Sequence, residues 1–581
     1  MPKAQSTVDR VTLTFDLTQL RTAQHKAGLA GLVLQIRDMH QRHEDDDEFA
    51  SEDLPELGDV TANSATVTLT ERSCQKLFDE LYSAELRRNH VYNKKRPGKK
   101  KPIEEFTEND PTAKGKPRQR KVYVYEDETP CNPFLIKQLG DGIWLKLWRD
   151  MLWAIPRPRD KNRIPYQQRA RGDSCNEGQK AWVDLQAFAK AIAKGQVYLT
   201  SLSGALLLGA QEKNAEQIPF KDRSDFAVLL HFWPLTTLIY VPWQLKVDQA
   251  DPSRSRDEPV GFALAIPEVC DLKTYCNQYV KVLNELAGKA EERGYRPRAA
   301  CIDLPAQSAL EFLESQAWLA GEKVRDVSRL RGLFHAVEYR HLAKFGNNVK
   351  SLGSGRIVPE RHLLTKYEGI TGPDGFRNAV FRKAMLTYLL DRSVSHWYEP
   401  FAKLFETLPG EFFLRSEKTP RLMRNFSADV NRQFRNLQHS HPELQPEESP
   451  MTDDNPSDDR LASLVLRMVR TYVRRKAEDR SGILYDSFND KKRKNERTGR
   501  EEMDVPARYR EEQEHVAEKA FLEVRSRHDQ DFSQYFAEHF ASVSQTKSIG
   551  RDDDYKLIFD ALVTRRDDVR TLALLALSAS Y

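Results

Sequence analysis

The feature that most constrains the fold is a change of hydrophobic periodicity near residue 440. Before that point, stretches that alternate apolar and polar residues, as at 8–20 and 60–70, are interspersed with stretches of helical period. From residue 459 onward only helical periods occur. The segment between them, HSHPELQPEESPMTDDNPSDD, is rich in Pro, Asp, Glu and Ser and is typical of a linker. The pattern predicts an α+β chain, with mixed α/β N-terminal and middle regions followed by an all-α helical bundle.

A chain of 581 residues is too long for one ordinary core, and about 150 residues per domain gives roughly two to four domains. We predict an α+β N-terminal domain over 1–175, a mixed α/β middle domain over 176–440, a linker over 441–458 and a helical bundle over 459–581. No fixed repeat period occurs, which disfavours solenoids and propellers.

Charge and cysteine usage limit the classes of protein to which the chain can belong. The 90 Lys and Arg residues nearly balance 86 Asp and Glu, so any attraction to nucleic acid must come from local clustering rather than from net charge. The six cysteines include no C-x-x-C pair and no disulfide framework, which favours a reducing cytoplasm. The N-terminus lacks the pattern of a signal peptide, and no apolar run is long enough for a membrane helix. We therefore expect a cytoplasmic protein with no membrane partner.

Two local patterns near the N-terminus make specific structural predictions. A helix predicted to begin at Thr22 contains Gly28 and Gly31, which destabilise a helix unless another backbone packs closely against them. The stretch ERSCQKLFDELYSAELRR, residues 71–88, is predicted as one amphipathic helix.

A first basic segment covers 93–121, where no hydrophobic pattern remains. It holds eleven Lys or Arg, four acidic residues and four prolines, and is predicted to be a mobile loop. Its cations could neutralise phosphates without sequence preference. They are Lys94, Lys95, Arg96, Lys99, Lys100, Lys101, Lys114, Lys116, Arg118, Arg120 and Lys121.

A second basic segment, PRPRDKNRIPYQQRARG at 156–172, mixes cations with amides and follows a tryptophan-rich helix pattern. Amides can pair with base edges while cations hold the phosphate backbone. The residues expected to read DNA bases are Lys161, Asn162, Arg163, Gln167 and Gln168. The residues expected to contact the backbone are Arg157, Arg159, Arg169 and Arg171. The alternative for either segment, a solvated charged loop, remains open.

Other clusters point to packing rather than to chemistry. The chain lacks a phosphate-binding loop, a dinucleotide fingerprint, a zinc-protease motif and a nucleophile elbow, so no catalytic residue, metal ligand or cofactor is expected. His335, Glu338 and His341 would form a ligand face only on a helix, and their stretch reads equally well as a strand. Trp144 and Trp148 are spaced as core residues of one helix, with Trp153 close behind. The stretch KKRKNERTGR at 491–500 is either a further phosphate contact or a charged connection.

The stretch TFDLTQLRTAQHKAGLAGLVLQIRDM at 14–39 resembles the N-terminus of the large subunit of type I CRISPR Cascade complexes. The similarity is to the I-B-like variant named from myxobacteria and found also in cyanobacterial CRISPR-associated transposons. YVPWQLK at 240–246, the basic segments and the C-terminal helical region agree in order with that resemblance.

The resemblance implies a non-catalytic subunit that contacts the 5′ handle of a guide CRISPR RNA. It would read a short protospacer-adjacent motif in double-stranded target DNA and help open that DNA for R-loop formation. The implied partners are the backbone, handle-capping and small subunits of Cascade, and either a helicase-nuclease or a transposition adaptor. Members of the family often make a small subunit from an internal start, and Met451 lies in the linker ahead of the helical bundle, so a second product over 451–581 is a further hypothesis.

Two other classes of function remain open from the residues alone. One is a nuclease or other hydrolase whose carboxylates are dispersed along the sequence. The other is a free-standing DNA-binding regulator, which would normally carry a helix-turn-helix and a dimer interface.

Overall fold

The computed structural model describes residues 9–46, 48–96, 101–109, 119–210, 219–289, 291–318, 326–346, 348–414, 421–440, 456–488, 490–494, 501–542 and 552–579. The chain divides into two compact units. The α+β unit comprises residues 1–242 and 259–364, and the helical unit comprises 243–258 and 365–581. The predicted α+β class, with a mixed N-terminal region and a helical C-terminal part, is confirmed. The domain boundaries at 175 and 440 stay predictions.

The strands as far as residue 364 are β1 (Arg10–Asp16), β2 (Glu56–Val60), β3 (Ser64–Thr70), β4 (Ala84–Tyr92), β5 (Glu104–Asn109), β6 (Gln119–Pro130), β7 (Leu199–Ser201), β8 (Lys221–Arg223), β9 (Leu238–Lys246), β10 (Arg256–Pro259), β11 (Phe262–Val269), β12 (Glu292–Arg293), β13 (Arg296–Pro297), β14 (Cys301–Ile302), β15 (Phe334–Phe345) and β16 (Asn348–Ile357). The helices of this part are α1 (Ala23–Asp46), α2 (Glu71–Leu81), α3 (Pro133–Leu139), α4 (Ile143–Ala154), α5 (Ile164–Ala170), α6 (Asn176–Ile192), α7 (Ser224–Leu229), α8 (Leu272–Gly288), α9 (Gln307–Ala317) and α10 (Leu330–Leu333). Helix α11 (Arg361–Thr371) follows them and spans the boundary between the units.

Helix α1 lies in the core of the α+β unit. A Cβ atom at Gly28 would collide with the carbonyl oxygen of Leu229, and one at Gly31 with that of Phe232. The expected close backbone approach at these glycines is therefore confirmed, since only glycine leaves room for the segment that follows α7. Helix α1 also packs on β11, whose residues Ala263–Ile266 are fully enclosed.

The main sheet of this unit runs in the order β9, β11, β15 and β16, with antiparallel neighbours. The short strand β14 pairs with β9 in parallel. Helix α9 packs on β11 and β15, and α8 packs on α1 and α9, so the sheet is covered by helices. Strand β16 is the outer strand and ends the sheet on one side.

Strands β4, β6 and β5 form a separate three-stranded antiparallel sheet, which we call the basic sheet. Two predictions were wrong here. The helix predicted over 71–88 ends at Leu81, because residues 84–92 pair with Val122–Pro130 of β6. The basic segment 93–121 is not entirely loop, since Glu104–Asn109 pairs with the start of β6. Pairing with a distant strand overrides the local pattern in both places.

The helical unit contains α12 (Ala379–Leu390), α13 (Glu399–Thr407), α14 (Phe426–Ser440), α15 (Pro456–Ser481), α16 (Ala507–Ser526), α17 (Asp529–Phe536), α18 (Asp552–Thr564) and α19 (Arg566–Ser578). Residues 459–581 were predicted to lack strands, but β17 (Lys492–Lys494) pairs with β18 (Glu501–Met503). Three-residue charged strands show no apolar alternation, so the sequence could not reveal this hairpin. No helix in the described ranges has both the length and the apolar composition needed to cross a bilayer.

Helices on both sides of the predicted linker share one aromatic core. The ring of Phe521 in α16 lies 5.8 Å from that of Phe405 and 6.0 Å from that of Phe413. Arg565 donates to Tyr398 Oη at 2.6 Å and to Asp568 at 2.8 Å, and it also pairs with Asp458 in the first turn of α15. Residues 441–455, most of the predicted linker and with them Met451, lie outside the described residues.

Candidate nucleic-acid interface

The cations of the first basic segment lie at the ends of the strands of the basic sheet. Lys94, Lys95 and Arg96 follow β4, with the two lysines exposed and Arg96 half-buried. The exposed Lys101 precedes β5, and Arg120 and Lys121 stand at the start of β6. Lys99, Lys100, Lys114, Lys116 and Arg118 lie outside the described residues.

Three of these cations lie over aromatic rings of the basic sheet. The distance from the cation to the ring centroid is 3.9 Å for Arg120 over Tyr92, 4.7 Å for Arg96 over Tyr125 and 5.4 Å for Lys95 over Tyr123. Such contacts hold the cations in place on the sheet surface.

Each of the same three cations also has a carboxylate partner. Arg120 Nε donates to Glu108 at 2.7 Å, Arg96 donates to Asp127 at 2.6 Å, and Lys95 donates to Glu105. The hydrogen bond from Lys95 to Glu105 raises the pKa of the lysine. The charges of these three cations are therefore paired with acidic residues of β5 and β6.

The second basic segment folds as a short 3-10 turn, Asp160–Arg163, followed by α5. Proline 165 stands in the first turn of α5, where a missing N–H costs nothing. Arg159, Lys161 and Arg171 are exposed. Asn162, Arg163, Gln167, Gln168 and Arg169 are half-buried.

Arg157 lies in the core rather than on the surface, at 8% exposure. Its guanidinium donates to Tyr82 Oη at 2.7 Å and to the carbonyl oxygen of Asn162 at 3.2 Å. Tyr82 Oη lies 2.6 Å from Nδ1 of His231, so the tyrosine accepts from the arginine and donates to a neutral histidine. Burial lowers the pKa of His231 well below its ordinary value, and the Arg157 charge lowers it further. Arg157 therefore anchors the segment and is not placed to meet a phosphate.

Arg163 and the amides hold α5 against its surroundings. Arg163 Nε donates to the carbonyl oxygen of Arg157 at 2.9 Å, and its guanidinium lies 4.7 Å from the ring of Trp153. The side-chain oxygen of Gln168 accepts from the backbone N–H of Asn176 at 3.0 Å. That contact leaves the NH₂ group of Gln168 to act as a donor.

Arg169, near the end of α5, binds backbone oxygens. Its Nε donates to the carbonyl oxygen of Asp79 at 3.2 Å, and its Nη1 donates to that of Asp173 at 2.9 Å. Like Arg157, it stabilises the local fold.

The two basic segments meet at one cleft of about 710 Å³. Arg96 of the first segment and Arg163 of the second both line it, together with residues of β4, β6 and α4. Its cations are Arg87, Arg96, Lys146, Arg149 and Arg163, and its carboxylates are Asp127, Glu128, Asp141, Asp150 and Glu292. We call this site the charged cleft.

Ion pairs organise the wall of the charged cleft. Asp141 accepts from Arg149 and pairs with Arg87, each at 2.7 Å. Burial raises the pKa of Asp141, but the hydrogen bonds from Arg149 and Arg87 outweigh burial, so the pKa is lowered overall. Lys146 donates to Asp150 at 2.8 Å. The cleft is thus polar and preorganised, with its charges already paired.

The tip of the hairpin between β15 and β16 adjoins the second basic segment, which sequence reasoning missed. Lys344 Nζ donates to the carbonyl oxygen of Pro158 at 3.0 Å, and Arg159 donates to Asn348 Oδ1 at 3.2 Å. Burial and the nearby Arg163 charge lower the pKa of Lys344. Lys350 lies 5.3 Å from the ring of Phe345, and both side chains are exposed. Nothing in the sequence connects these residues to a segment more than 180 positions earlier.

The histidine cluster and the tryptophans take the packing roles expected of them. His335 and His341 lie on strand β15, six residues apart, and His341 Nε2 lies 2.8 Å from the carbonyl oxygen of Val260. Within the ranges that the structure describes, no group of three or more His, Cys, Asp or Glu residues is arranged to hold a metal ion. Trp144 and Trp148 are buried, and Trp153 is half-buried at the charged cleft.

Comparison with known families finds two matches. The model of the type I-B CRISPR Cas8b N-terminal domain matches residues 54–323. The model of the type I-B CRISPR Cas8b C-terminal domain matches residues 334–580. No curated protein matches the chain.

Proposed function

The chain belongs to the type I-B CRISPR Cas8b family and is a large subunit of a type I-B Cascade complex, and we propose that it reads the protospacer-adjacent motif with the rim of the charged cleft. In this role it is a non-catalytic cytoplasmic subunit that binds double-stranded target DNA. It also contacts the 5′ handle of the guide RNA and helps open the target for R-loop formation. Guide pairing supplies the remaining sequence specificity.

The observation that carries this proposal is the meeting of the two basic segments at one cleft. Arg96 and Arg163 line the same cavity although 66 residues separate them in the sequence. The exposed lysines Lys94, Lys95 and Lys161 belong to the same two segments. A duplex lying across such a rim meets cations from both segments, which fixes its position through phosphate contacts.

Base reading is assigned to the 161–168 part of the second segment. Lys161 is exposed, and Asn162 and Gln167 are half-buried, so none of the three is enclosed in the core. Amide side chains form paired hydrogen bonds with adenine, and lysine donates to guanine. Gln168 contributes its NH₂ group, and Arg163 holds the turn through Trp153.

The experiment that tests base reading uses the complex assembled with its guide RNA. We expect Asn162→Ala and Gln167→Ala each to weaken binding to a target with the correct adjacent motif by about tenfold, without changing assembly. Lys281→Ala is the matched control, because this exposed lysine of α8 lies outside both basic segments. Binding of both variants at the level of the control across a library of randomised motifs would remove these amides from the reading site.

The first basic segment is proposed to bind phosphates without sequence preference. Replacing Lys99, Lys100 and Lys101 together by Gln should weaken binding to all targets by the same factor. It should also reduce the dependence of affinity on salt concentration. A loss confined to particular adjacent motifs would contradict this role. Titration of duplex binding at several salt concentrations measures both quantities.

A second product that begins at Met451 is also proposed, serving as a small subunit of the complex. Such a product would contain α15–α19 but not Phe405 and Phe413, which pack on Phe521 in the full chain. It would need another apolar surface to cover Phe521. A C-terminal tag that detects only the full-length chain in cells would count against this product.

Copurification identifies the remaining partners. Pulling down the tagged chain with its neighbouring gene products should yield uniform guide-sized RNA that carries a repeat-derived handle. The proteins recovered, or encoded beside it, distinguish a helicase-nuclease from a transposition adaptor as the downstream partner. A chain that copurifies without RNA would contradict its proposed contact with the guide.

A further inference from the structure

A second cavity, of about 410 Å³, lies within the helical unit. It is formed where α15 meets the turn at 482–488, the end of β18 and the first turns of α16. The residues that matter for its chemistry are Arg470, Arg474, Tyr485, Met503 and Tyr509. We call it the helical-unit pocket. Its volume lies in the range of pockets that bind small organic groups.

Aromatic side chains form one wall of the helical-unit pocket. The ring of Phe488 packs edge-on against Tyr485 at 5.4 Å and against Tyr509 at 4.8 Å. Phe488 and Tyr509 are almost fully buried, so they form the floor. Tyr485 is half-buried and Met503 is 37% exposed, so both can contact a molecule that enters. Of these rings only that of Tyr485 is partly exposed, and a single accessible aromatic ring can stack on a nucleobase.

Arginines of α15 form the opposite side. Arg470 and Arg474 line the pocket and, being four residues apart, lie on one face of the helix. Arg467, one turn earlier, does not line the pocket and pairs with Asp554 at 3.8 Å. Arg470 donates to the neutral amide oxygen of Asn431 at 2.7 Å. The stretch 467–480 carries six Lys or Arg against two acidic residues. The positive charge of this helix is therefore not balanced along its own sequence.

Arg474 is the lining residue whose surroundings most clearly indicate that an anion binds in the pocket. Its guanidinium lies 5.3 Å from the ring centroid of Tyr485. Its Nε atom is enclosed and has no hydrogen-bond partner within the described part of the chain. The residues that line the pocket include no carboxylate, and the nearby Glu478 accepts from the backbone N–H of Tyr485 at 2.9 Å. An anion that enters the pocket would therefore meet the guanidinium without first displacing a carboxylate of the lining.

We propose that the helical-unit pocket binds one unpaired nucleotide of a single strand, with the base against Tyr485 and the phosphates held by Arg474 and Arg470. An aromatic ring beside a guanidinium provides the two contacts that sequence-independent single-strand binding uses. The site lies in the helical unit and does not depend on the duplex-reading role proposed for the charged cleft. An acidic peptide would use the arginines but would gain little from Tyr485.

Binding of labelled strands to the full-length chain tests this inference. The probes are fluorescein-labelled dT20 and rU20, measured by anisotropy at several salt concentrations. We expect Tyr485→Leu to weaken binding by about tenfold with an unchanged salt dependence, since it removes only stacking. Arg474→Gln should weaken binding by a similar factor and also reduce the salt slope by about one. Arg474→Lys keeps the charge but loses the planar guanidinium group. Its affinity for the two strands should lie between that of Arg474→Gln and that of the unsubstituted chain.

The matched control is Lys476→Gln, which removes an exposed cation of the same helix that does not line the pocket. It should change affinity by less than about threefold, and thermal unfolding of all variants checks that each is folded. Should Arg474→Gln fail to fold, Arg474→Lys carries the test of the phosphate contact. If Tyr485→Leu and the Arg474 variants all bind dT20 and rU20 as the control does, the proposal is wrong.

Competition and crosslinking identify the source of the nucleotide. Tighter binding of dT20 than rU20 assigns the site to a DNA strand, and the reverse assigns it to RNA. Displacement of both by dTMP at equal nucleotide concentration assigns it to a free nucleotide. Photocrosslinking of dT20 that contains 5-iododeoxyuridine should map to peptides within 470–513. A polyglutamate peptide that displaces dT20 from the unsubstituted chain and from Tyr485→Leu equally well would overturn the proposal in favour of a protein partner.

Discussion

The charged cleft and the helical-unit pocket both set guanidinium groups against aromatic rings, but they differ in what else those groups touch. In the cleft, Arg96 lies over Tyr125 and also donates to Asp127 at 2.6 Å. In the pocket, Arg474 lies over Tyr485, and the lining residues include no carboxylate. A paired arginine must exchange one anion for another when it binds a phosphate, so its net gain is small. The number of cations along a segment is therefore a poor guide to anion affinity.

A second contrast lies within the basic segment 156–172 itself. Arg157 is buried and bonded to Tyr82, whereas Lys161, four residues later, is exposed. The same sequence pattern thus supplies one structural cation and one surface cation.

The largest expected effect is on stability, from Arg157→Ala. This change removes the hydrogen bonds to Tyr82 and Asn162 and leaves a cavity, so we expect the α+β unit to lose about 3 kcal/mol. Urea unfolding followed by tryptophan fluorescence measures it. Lys161→Ala is the control and should stay within about 0.5 kcal/mol of the unsubstituted chain. Equal stability of the two variants would remove the contrast between them.

The next effect concerns pH. Burial holds the pKa of His231 well below its ordinary value, so the folded chain keeps the ring neutral while the unfolded chain takes up a proton below about pH 6.5. Stability from this group is therefore present above that pH and is lost on acidification, by about 1.4 kcal/mol per pH unit. Unfolding midpoints between pH 7.5 and pH 5 measure the slope. His231→Phe should flatten this part of the profile, and an unchanged slope in that variant would refute the assignment.

A smaller effect should follow from converting a paired cation into an unpaired one. Asp127→Asn removes the carboxylate partner of Arg96, so we expect about fivefold tighter binding of duplex DNA without the adjacent motif. The dependence on salt should steepen at the same time. Asp59→Asn, an exposed aspartate of β2, is the control for the change in net charge. Equal affinities of the two variants would show that pairing does not limit the cleft.

The smallest effect is expected at the hairpin tip between β15 and β16. Lys350→Gln removes an exposed cation beside Phe345, next to the second basic segment, and should weaken duplex binding by about twofold. Lys281→Gln on α8 serves as the comparison at matched salt. If Lys350→Gln loses no more duplex affinity than Lys281→Gln, the hairpin tip is not part of the surface that binds the duplex.

Family membership could be read from the sequence, but its finer consequences could not. The resemblance of residues 14–39 to type I-B large subunits agrees with the family matches over 54–323 and 334–580. The association with a transposon, the motif read and the residues that read it stay predictions. Surface residues that contact nucleic acid leave no periodic signal, because neither their spacing nor their burial is fixed by a regular element.

The basic sheet shows why part of the fold could not be predicted. Strand β5 reads EEFTEN and has no apolar alternation, so it is stable only because β6 pairs with it. Helix α1, in contrast, was predicted together with its close contact at Gly28 and Gly31, since glycine within a helix has few other uses. The local sequence pattern was enough to predict an element whose conformation depends on its own residues. It was not enough where the conformation depends on pairing with a distant strand.

The α+β class, the helical C-terminal part and the family could be predicted from the amino-acid sequence, which also gives the position of every cation along the chain. Which cations are neutralised depends on the tertiary structure, because the carboxylates that pair with Arg96 and Arg120 come from neighbouring strands of the basic sheet. Only the tertiary structure decided that Arg157 is buried and that Arg474 faces a pocket without a carboxylate. The physical reason is that charge–charge interaction depends on separations of a few ångströms and on exclusion of water, and both are fixed by packing between segments far apart in the chain.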